Sequence, residues 1–242
     1  MNDDTTTTPL AARIDHTILK AEATEDQVDT VTDEAVAHGF ASVCVNPRHA
    51  GRVRERLDAA GSAAKACVVV AFPLGANAAT LKGIEAVACL KAGAQEIDFV
   101  AHLPSLLAED AEAVLADFLS VTVPARERDG GCVVKAILET AALAAGVSDD
   151  RAEARIAVGC RAAAEAGVDF VKTSTGFHPA GGATEQHVRW LRAHAPRLGV
   201  KASGGIRTRD DAERMLAAGA TRLGCSASVA IVGGNAAAAG GY

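Results

Sequence analysis

Short apolar runs alternate along the chain with longer Ala-rich, amphipathic stretches, and the alternation is regular. Three segments align with one another: AGAQEIDFV (Ala92 to Val100), AGVDFVKTS (Ala166 to Ser174) and AGATRLGCS (Ala218 to Ser226). HGFASVCVN (His38 to Asn46) is a looser fourth. In each, a glycine closes an Ala-rich helical stretch, where a C-cap is expected, and a short apolar strand follows. The pattern predicts eight strands: near Ile14 to Thr17, Ser42 to Asn46, Cys67 to Phe72, Glu96 to Val100, Val133 to Leu138, Phe170 to Ser174, Val200 to Ser203 and Leu223 to Ser226. Between them lie helix-start signals, among them Thr24, Ser148, Thr184 and Thr208, each shortly before an acidic residue. Strand onsets recur roughly every 25 to 35 residues, as βα units require, and such alternation predicts a parallel sheet covered by helices. Eight units predict closure into an α/β (β/α)8 TIM barrel. A doubly wound sheet would use fewer strands and carry a glycine-rich fingerprint after the first, which this chain lacks. The 242 residues suit one such domain over 1–242, with residues 1–9 and the Ala/Gly-rich tail 234–242 expected to be flexible.

Composition narrows the partners. The 24 basic and 30 acidic residues give a net charge of -6, and no basic run or aromatic-interleaved patch occurs, so nucleic acid is not an expected partner. The longest apolar runs, such as Cys67 to Phe72, are far shorter than the ~20 residues that span a bilayer, so no membrane partner is expected either. The first ten residues, MNDDTTTTPL, carry Asp where a signal peptide would carry positive charge, which predicts a cytoplasmic protein. Six cysteines, at 44, 67, 89, 132, 160 and 225, show no CxxC spacing and are expected to be reduced core or near-core thiols. Only seven lysines stand among the basic residues, so a lysine inside a strand is conspicuous.

Lys172 is flanked by Phe170 and Val171 in an apolar run that breaks into STGFHPAGGAT. A buried lysine is desolvated, desolvation favours the neutral amine, and a neutral amine attacks carbonyl carbon. The competing account of this residue alone is a lysine on a solvated strand face. Its company shifts the balance: EIDFV, VVKAI, FVKTS and VKASG, from four consecutive strands, place Asp98, Lys135, Lys172 and Lys201 at the same position after an apolar lead-in. Equivalent strand positions share the barrel interior, subject to the stagger that shear imposes. Burying one carboxylate with three ammonium groups costs several kcal/mol per unpaired ion by rough estimate, which an active site justifies; a structural ion-pair network is the alternative. Lys201 beside Lys172 disfavours its protonation, making Lys172 the candidate for a Schiff base. Asp98 is placed to move protons through a water with Lys201 as its partner, and Lys135 to orient Asp98 or a carbinolamine hydroxyl.

A second cluster follows. SGGIRT (Ser203 to Thr208) succeeds strand seven and GCSAS (Gly224 to Ser228) ends strand eight, where β/α barrels commonly hold phosphate. Gly204, Gly205, Ser226 and Ala227, with Gly176 as a third wall, are the candidate phosphate-binding residues, although a tight turn alone would also use Gly204 and Gly205. Asp15 and His16 in strand one, His102 after strand four and His178 after strand six match no metal-binding spacing, and three lysines repel a divalent cation; no metal and no cofactor are expected. A histidine of this kind is more often a hydrogen-bonded wall residue, and Cys44 is most simply a small hydrophobe near the site.

These residues resemble the deoxyribose-phosphate aldolases, metal-independent Schiff-base aldolases on a β/α barrel. The similarity is carried by RIDHTILK (Arg13 to Lys20), SVCVNP (Ser42 to Pro47), VVAFPLGA (Val69 to Ala76), EIDFV, VKAILET (Val134 to Thr140), DFVKTSTGF and KASGGIRT, and agreement continues from Lys172 to Ala183. The resemblance implies that Lys172 forms the imine and that Asp98 and Lys201 donate and accept protons. It implies interconversion of 2-deoxy-D-ribose 5-phosphate with acetaldehyde and D-glyceraldehyde 3-phosphate, by a cytoplasmic homo-oligomer, dimer or tetramer. Asp15 and Thr173 enter as supporting residues, and Tyr242, the last residue, as a hydroxyl that folds over the site. Two departures stand out: His102 replaces a usual asparagine, and Ala227 replaces one of two serines in the last loop. Another Schiff-base aldolase or transaldolase acting on a phosphorylated sugar, or a non-catalytic phosphate-binding barrel, are the alternatives.

Overall fold

A computed structural model describes residues 8–128 and 130–234; Tyr242 and nearly all of the two expected flexible ends lie outside them. Within the described residues eight parallel strands close into a barrel in chain order, β8 returning to β1. They are β1 (Ile14–Ile18), β2 (Ser42–Val45), β3 (Lys65–Val70), β4 (Glu96–Val100), β5 (Val133–Ile137), β6 (Phe170–Lys172), β7 (Gly199–Ser203) and β8 (Arg222–Cys225). β6 is shorter than its apolar run: the Thr173 N–H still donates to the Lys201 carbonyl at 3.0 Å, but the Thr173 hydroxyl accepts the Ser203 N–H at 3.0 Å, and the Thr173 carbonyl accepts from the Thr140 N–H at 2.8 Å.

Around the strands lie α1 (Glu25–His38), α2 (Ala50–Ala59), α3 (Ala79–Lys91), α4 (Leu103–Leu107), α5 (Ala111–Arg126), α6 (Thr140–Ala144), α7 (Asp149–Glu165), α8 (Glu185–His194), α9 (Arg209–Ala217) and α10 (Ser228–Gly233). Thr24, Ser148, Thr184 and Thr208 cap α1, α7, α8 and α9, each side-chain oxygen accepting from the N–H three residues on. That bond satisfies a donor the first helical turn leaves open. The glycines of the aligned segments, Gly39, Gly93, Gly167 and Gly219, have φ between 67° and 113° and turn each helix into the next strand, a conformation that costs glycine little.

Alternation along each strand divides the interior in two. Outward residues such as Ile97, Phe99, Val134 and Val171 join the helices in the main apolar core, where Phe99 meets Phe118 of α5 edge-on at 5.1 Å. Inward residues build an ionic floor, beside which Leu19, Cys44, Cys67 and Val69 form a separate small apolar wall with Phe72 packed against it. Lys82 of α3 is also buried: its ammonium lies 2.7 Å from Asp117 of α5 and donates to the Val100 carbonyl at 2.9 Å, while Asp117 accepts the His102 N–H at 2.9 Å. This pair fastens the helix layer to the chain as it leaves β4. Among the described residues no helix is long and apolar enough to cross a membrane, and the six cysteines are unpaired and buried.

Candidate active site

Asp98, in the middle of β4, is fully buried and is the acceptor around which the expected lysines gather. Lys135 donates to Oδ1 at 2.7 Å; Lys172 and Lys201 donate to Oδ2 at 2.8 and 2.7 Å. Asp15 of β1 holds Lys201 at 2.5 Å and Arg222 at 2.6 Å, with Lys135 at 3.4 Å. The four residues expected from equivalent strand positions therefore converge, and Asp15 joins them.

Their levels differ from the simple expectation. Asp98 is in register with Lys135, and Lys172 with Lys201, but the β5 partner of Lys172 is Ile137, two residues beyond Lys135. The stagger that closes a barrel lifts β6 relative to β5, so Lys135 lies deeper and Lys172 nearer the C-terminal mouth. Lys172 also has a single carboxylate partner, Asp98, and is 3 % exposed, whereas Lys135 and Lys201 are fully buried among two or more carboxylates.

Two groups were missed at the sequence level. Glu96 lies 2.6 Å from the Lys135 ammonium, and Arg222 reaches both Asp15 and, at 3.5 Å, Glu96. Glu96 is two residues before Asp98 and so shares its face, which period-two alternation signals; Arg222 is the register partner of Lys201. Two glycines make room: a Cβ on Gly224 would sit 3.0 Å from Lys201 Cε, and one on Gly199 would sit 2.2 Å from the Phe170 ring, on which the Arg222 guanidinium stacks at 5.4 Å.

Electrostatics follow from this packing. Burial works to raise the Asp15 and Asp98 carboxyls, but the surrounding Lys135, Lys201 and, respectively, Arg222 or Lys172 outweigh it and hold both well below the usual carboxylate range. Burial works to depress Lys135 and Lys201, yet Asp15 and Asp98 push both above the ordinary lysine range. Glu139, buried at the start of α6 with φ 53°, accepts the Thr175 hydroxyl at 2.5 Å and the Thr175 N–H; burial raises its carboxyl.

The expected phosphate loops meet at the same end of the barrel. Gly176 after β6 and Gly204 after β7 lie close enough that a Cβ on Gly204, whose φ is 86°, would come within 3.2 Å of Gly176 Cα and 3.0 Å of Gly182 Cα. A Cβ on Gly182 would meet the Gly204 carbonyl oxygen at 2.2 Å, and the Ala183 N–H donates to that oxygen at 3.0 Å. The stretch HPAGGAT is thus the strap that binds the β6 loop to the β7 loop. Gly205 (φ 82°) borders open space. Ser226 and Ala227 lead into α10, whose first N–H groups have no side-chain cap. The Thr173 N–H donates to the Lys201 carbonyl at 3.0 Å, and its hydroxyl pairs with Ser203, whose own hydroxyl donates to the Ser174 carbonyl at 2.5 Å.

The histidines are wall residues. His16 lies 2.9 Å from the Ser228 hydroxyl and 2.7 Å from Glu34, His102 is 2.8 Å from the Ser105 hydroxyl, and His178 accepts the Ala180 N–H at 3.1 Å. Phe72, after β3, meets Phe177 edge-on at 5.1 Å, joining the β3 and β6 loops. An ionised carboxylate shared by the slightly exposed Lys172 and the fully buried Lys201, next to glycine loops, is chemically suited to covalent carbonyl chemistry on an anionic substrate.

Residues 10–235 match a family model described as DeoC/LacD family aldolase. The chain is 44% identical over 226 residues to a deoxyribose-phosphate aldolase of Listeria monocytogenes serotype 4b (strain F2365), covering 93% of this chain and 95% of that one. It is 44% identical over 224 residues to one of Bacillus cereus (strain AH187), covering 92% and 94%. Among solved structures, the deoxyribose phosphate aldolase of Aeropyrum pernix, described as a unique tetramer, superposes with a TM-score of 0.82 at 34% identity over 93% of this chain and 89% of that one.

Proposed function

The chain belongs to the DeoC/LacD family of aldolases, and from that premise we propose that Lys172 is the imine-forming residue of an enzyme that reversibly cleaves 2-deoxy-D-ribose 5-phosphate to D-glyceraldehyde 3-phosphate and acetaldehyde. The observation that carries the assignment is the placement of Lys172: of the three lysines around Asp98 it alone keeps any exposure, has one carboxylate partner, and has Asp98 within a hydrogen bond.

The reaction runs as follows. The Lys172 amine adds to the C1 aldehyde of the open-chain sugar, and the carbinolamine loses water to give an iminium, an electron sink. Asp98, acting through a water, takes the proton of the C3 hydroxyl as the C2–C3 bond breaks; its electron pair moves into the iminium, leaving an enamine on Lys172 and releasing the phosphorylated aldehyde. The same proton returns to C2, and water then adds to the imine and expels acetaldehyde. Lys201, fixed by Asp15, keeps Asp98 ionised and oriented, and Lys135 secures it from below. Gly176, Gly204, Gly205, Ser226 and Ala227 hold the phosphate through backbone N–H groups.

Borohydride added with acetaldehyde or with the sugar phosphate should trap one adduct on the peptide containing Lys172. An adduct on another lysine would overturn the assignment. We also infer a homo-oligomer, supported by the exposed Leu81 and Ile84 of α3 beside Leu119 and Val123 of α5; light scattering tests it. Six unpaired cysteines favour a reducing, cytoplasmic setting.

A further inference from the structure

Beside the catalytic carboxylate lies a pair of thiols that the aldol reaction does not use. Cys44 of β2 and Cys67 of β3 are register partners on adjacent parallel strands, so their side chains leave the sheet on the same, inward side. Both are fully buried. Their sulfur atoms and a carboxylate oxygen of Asp98 lie within 4.8 Å of one another. Cys67 donates its S–H to Asp98 Oδ1 at 3.3 Å, and the Lys135 ammonium lies 3.3 Å from Cys67 Sγ.

We propose that Cys44, Cys67 and Asp98 form a site for a thiophilic divalent cation of the Zn²⁺ or Cd²⁺ class, and that its occupation blocks the aldol reaction. The blocking half rests on the role given to Asp98 above; the binding half does not.

The donor set fits such an ion. Two thiolates and one carboxylate are a three-ligand set of the kind that leaves a fourth, open position on tetrahedral zinc. At Zn–S distances of ~2.3 Å the two sulfurs stand roughly 3.8 Å apart, so the side chains need to move by about 1 Å or less. The neighbouring ammonium groups do not forbid it, because the cation displaces one proton from each thiol. Two positive charges leave as two arrive, and the net charge of the cluster is unchanged. Burial and the neighbouring Asp98 push the Cys67 thiol up, so the ion must displace a firmly held proton there, which makes occupation steeply dependent on pH. Once Asp98 ligates the ion it is withdrawn from Lys172 and Lys135, and the proton carrier of the reaction is lost.

The probe is Cd²⁺ added to the metal-free full-length enzyme, followed by the ultraviolet thiolate-to-cadmium charge-transfer band, by proton release to an indicator dye, and by aldol activity. One Cd²⁺ per chain is expected, with two protons released, activity reduced more than about tenfold, and full recovery on adding a chelator. Cys44→Ser and Cys67→Ser should each weaken the band-forming affinity more than about tenfold, while Cys160→Ser keeps it. A single proton released, or a band indifferent to Cys67→Ser, would overturn the site. Should either variant fail to fold, the proton count on the unaltered enzyme decides the question. Cadmium bound with two protons released and activity intact would remove Asp98 from the ligand set and overturn the blocking half.

Discussion

Lys172 and Lys201 donate to one and the same oxygen, Oδ2 of Asp98, at 2.8 and 2.7 Å. Two side-chain nitrogens on neighbouring strands are thereby held side by side by a single acceptor, and of the two only Lys172 keeps any exposure, 3 %. Lys201→Met should separate their duties. Turnover is expected to fall by about 10²- to 10⁴-fold, the usual worth of a positioned proton-transfer group. Borohydride should nevertheless still trap acetaldehyde on Lys172, and absence of any trapped adduct would mean that Lys201 is required for imine formation itself.

A methyl group in the wall should reproduce part of that loss. Gly224→Ala places a Cβ 3.0 Å from Lys201 Cε and 3.0 Å from Ser203 Cβ. The lysine must shift by a few tenths of an ångström, which misaligns it with Asp98. A kcat about tenfold lower with KM nearly unchanged is expected, since positioning and not binding is disturbed. Steady-state kinetics on the sugar phosphate distinguish this from a rise in KM.

The strap between the two loops predicts the reverse split. In Gly182→Ala the new Cβ would meet the Gly204 carbonyl oxygen at 2.2 Å, a backbone clash that must part the β6 and β7 loops. KM for the phosphorylated sugar should rise about tenfold or more, while cleavage of unphosphorylated 2-deoxyribose, which never used the phosphate contacts, changes less. Equal losses on both substrates would show that the strap supports the imine site instead.

The ionic floor sets a pH window for stability. Asp15 and Asp98 have carboxyls held below their unfolded value of ~3.9, so their contribution is complete above that pH and is lost as pH falls through the folded values. Lys135 and Lys201 are held above their unfolded value of ~10.4, so theirs is complete below that pH and is lost as pH rises through the folded values. Chemical denaturation should therefore show no contribution of these groups to pH dependence from about pH 5 to 9. Asp15→Asn should lower stability near neutrality by about 3 to 5 kcal/mol, because Lys201 and Arg222 lose a buried partner, and should flatten the acid limb below about pH 4. An acid limb as steep as that of the unaltered protein would place its origin elsewhere.

The fold was legible because its signals are local. Glycines such as Gly93 and Gly167, caps such as Thr24 and Thr208, and apolar runs such as EIDFV each fix one boundary from a few neighbouring residues. Asp98, Lys135, Lys172 and Lys201 were legible as charges inside such runs. What escaped is what depends on closure. The two-residue lift of Lys172 over Lys135 is a property of the ring of strands, and no single strand contains it. Arg222 was hidden because it stands at the start of β8, where a polar residue passes for the end of a loop, and Glu96 because it begins β4 in the same way. Thr173 entered as a supporting residue through the family resemblance, and what the chain alone does not display is its hydroxyl's pairing with the backbone of Ser203 on the next strand.

The contact between Gly182 and Gly204 also bears on how this enzyme can change. Because neither position has room for a side chain, and the two lie on loops separated by a helix and a strand, the lineage cannot explore one loop while holding the other fixed. Acceptor preference would then evolve by paired substitutions or by exchange of the whole segment from β6 to α9. A library that randomises either loop singly should be depleted of active members relative to one that randomises both together.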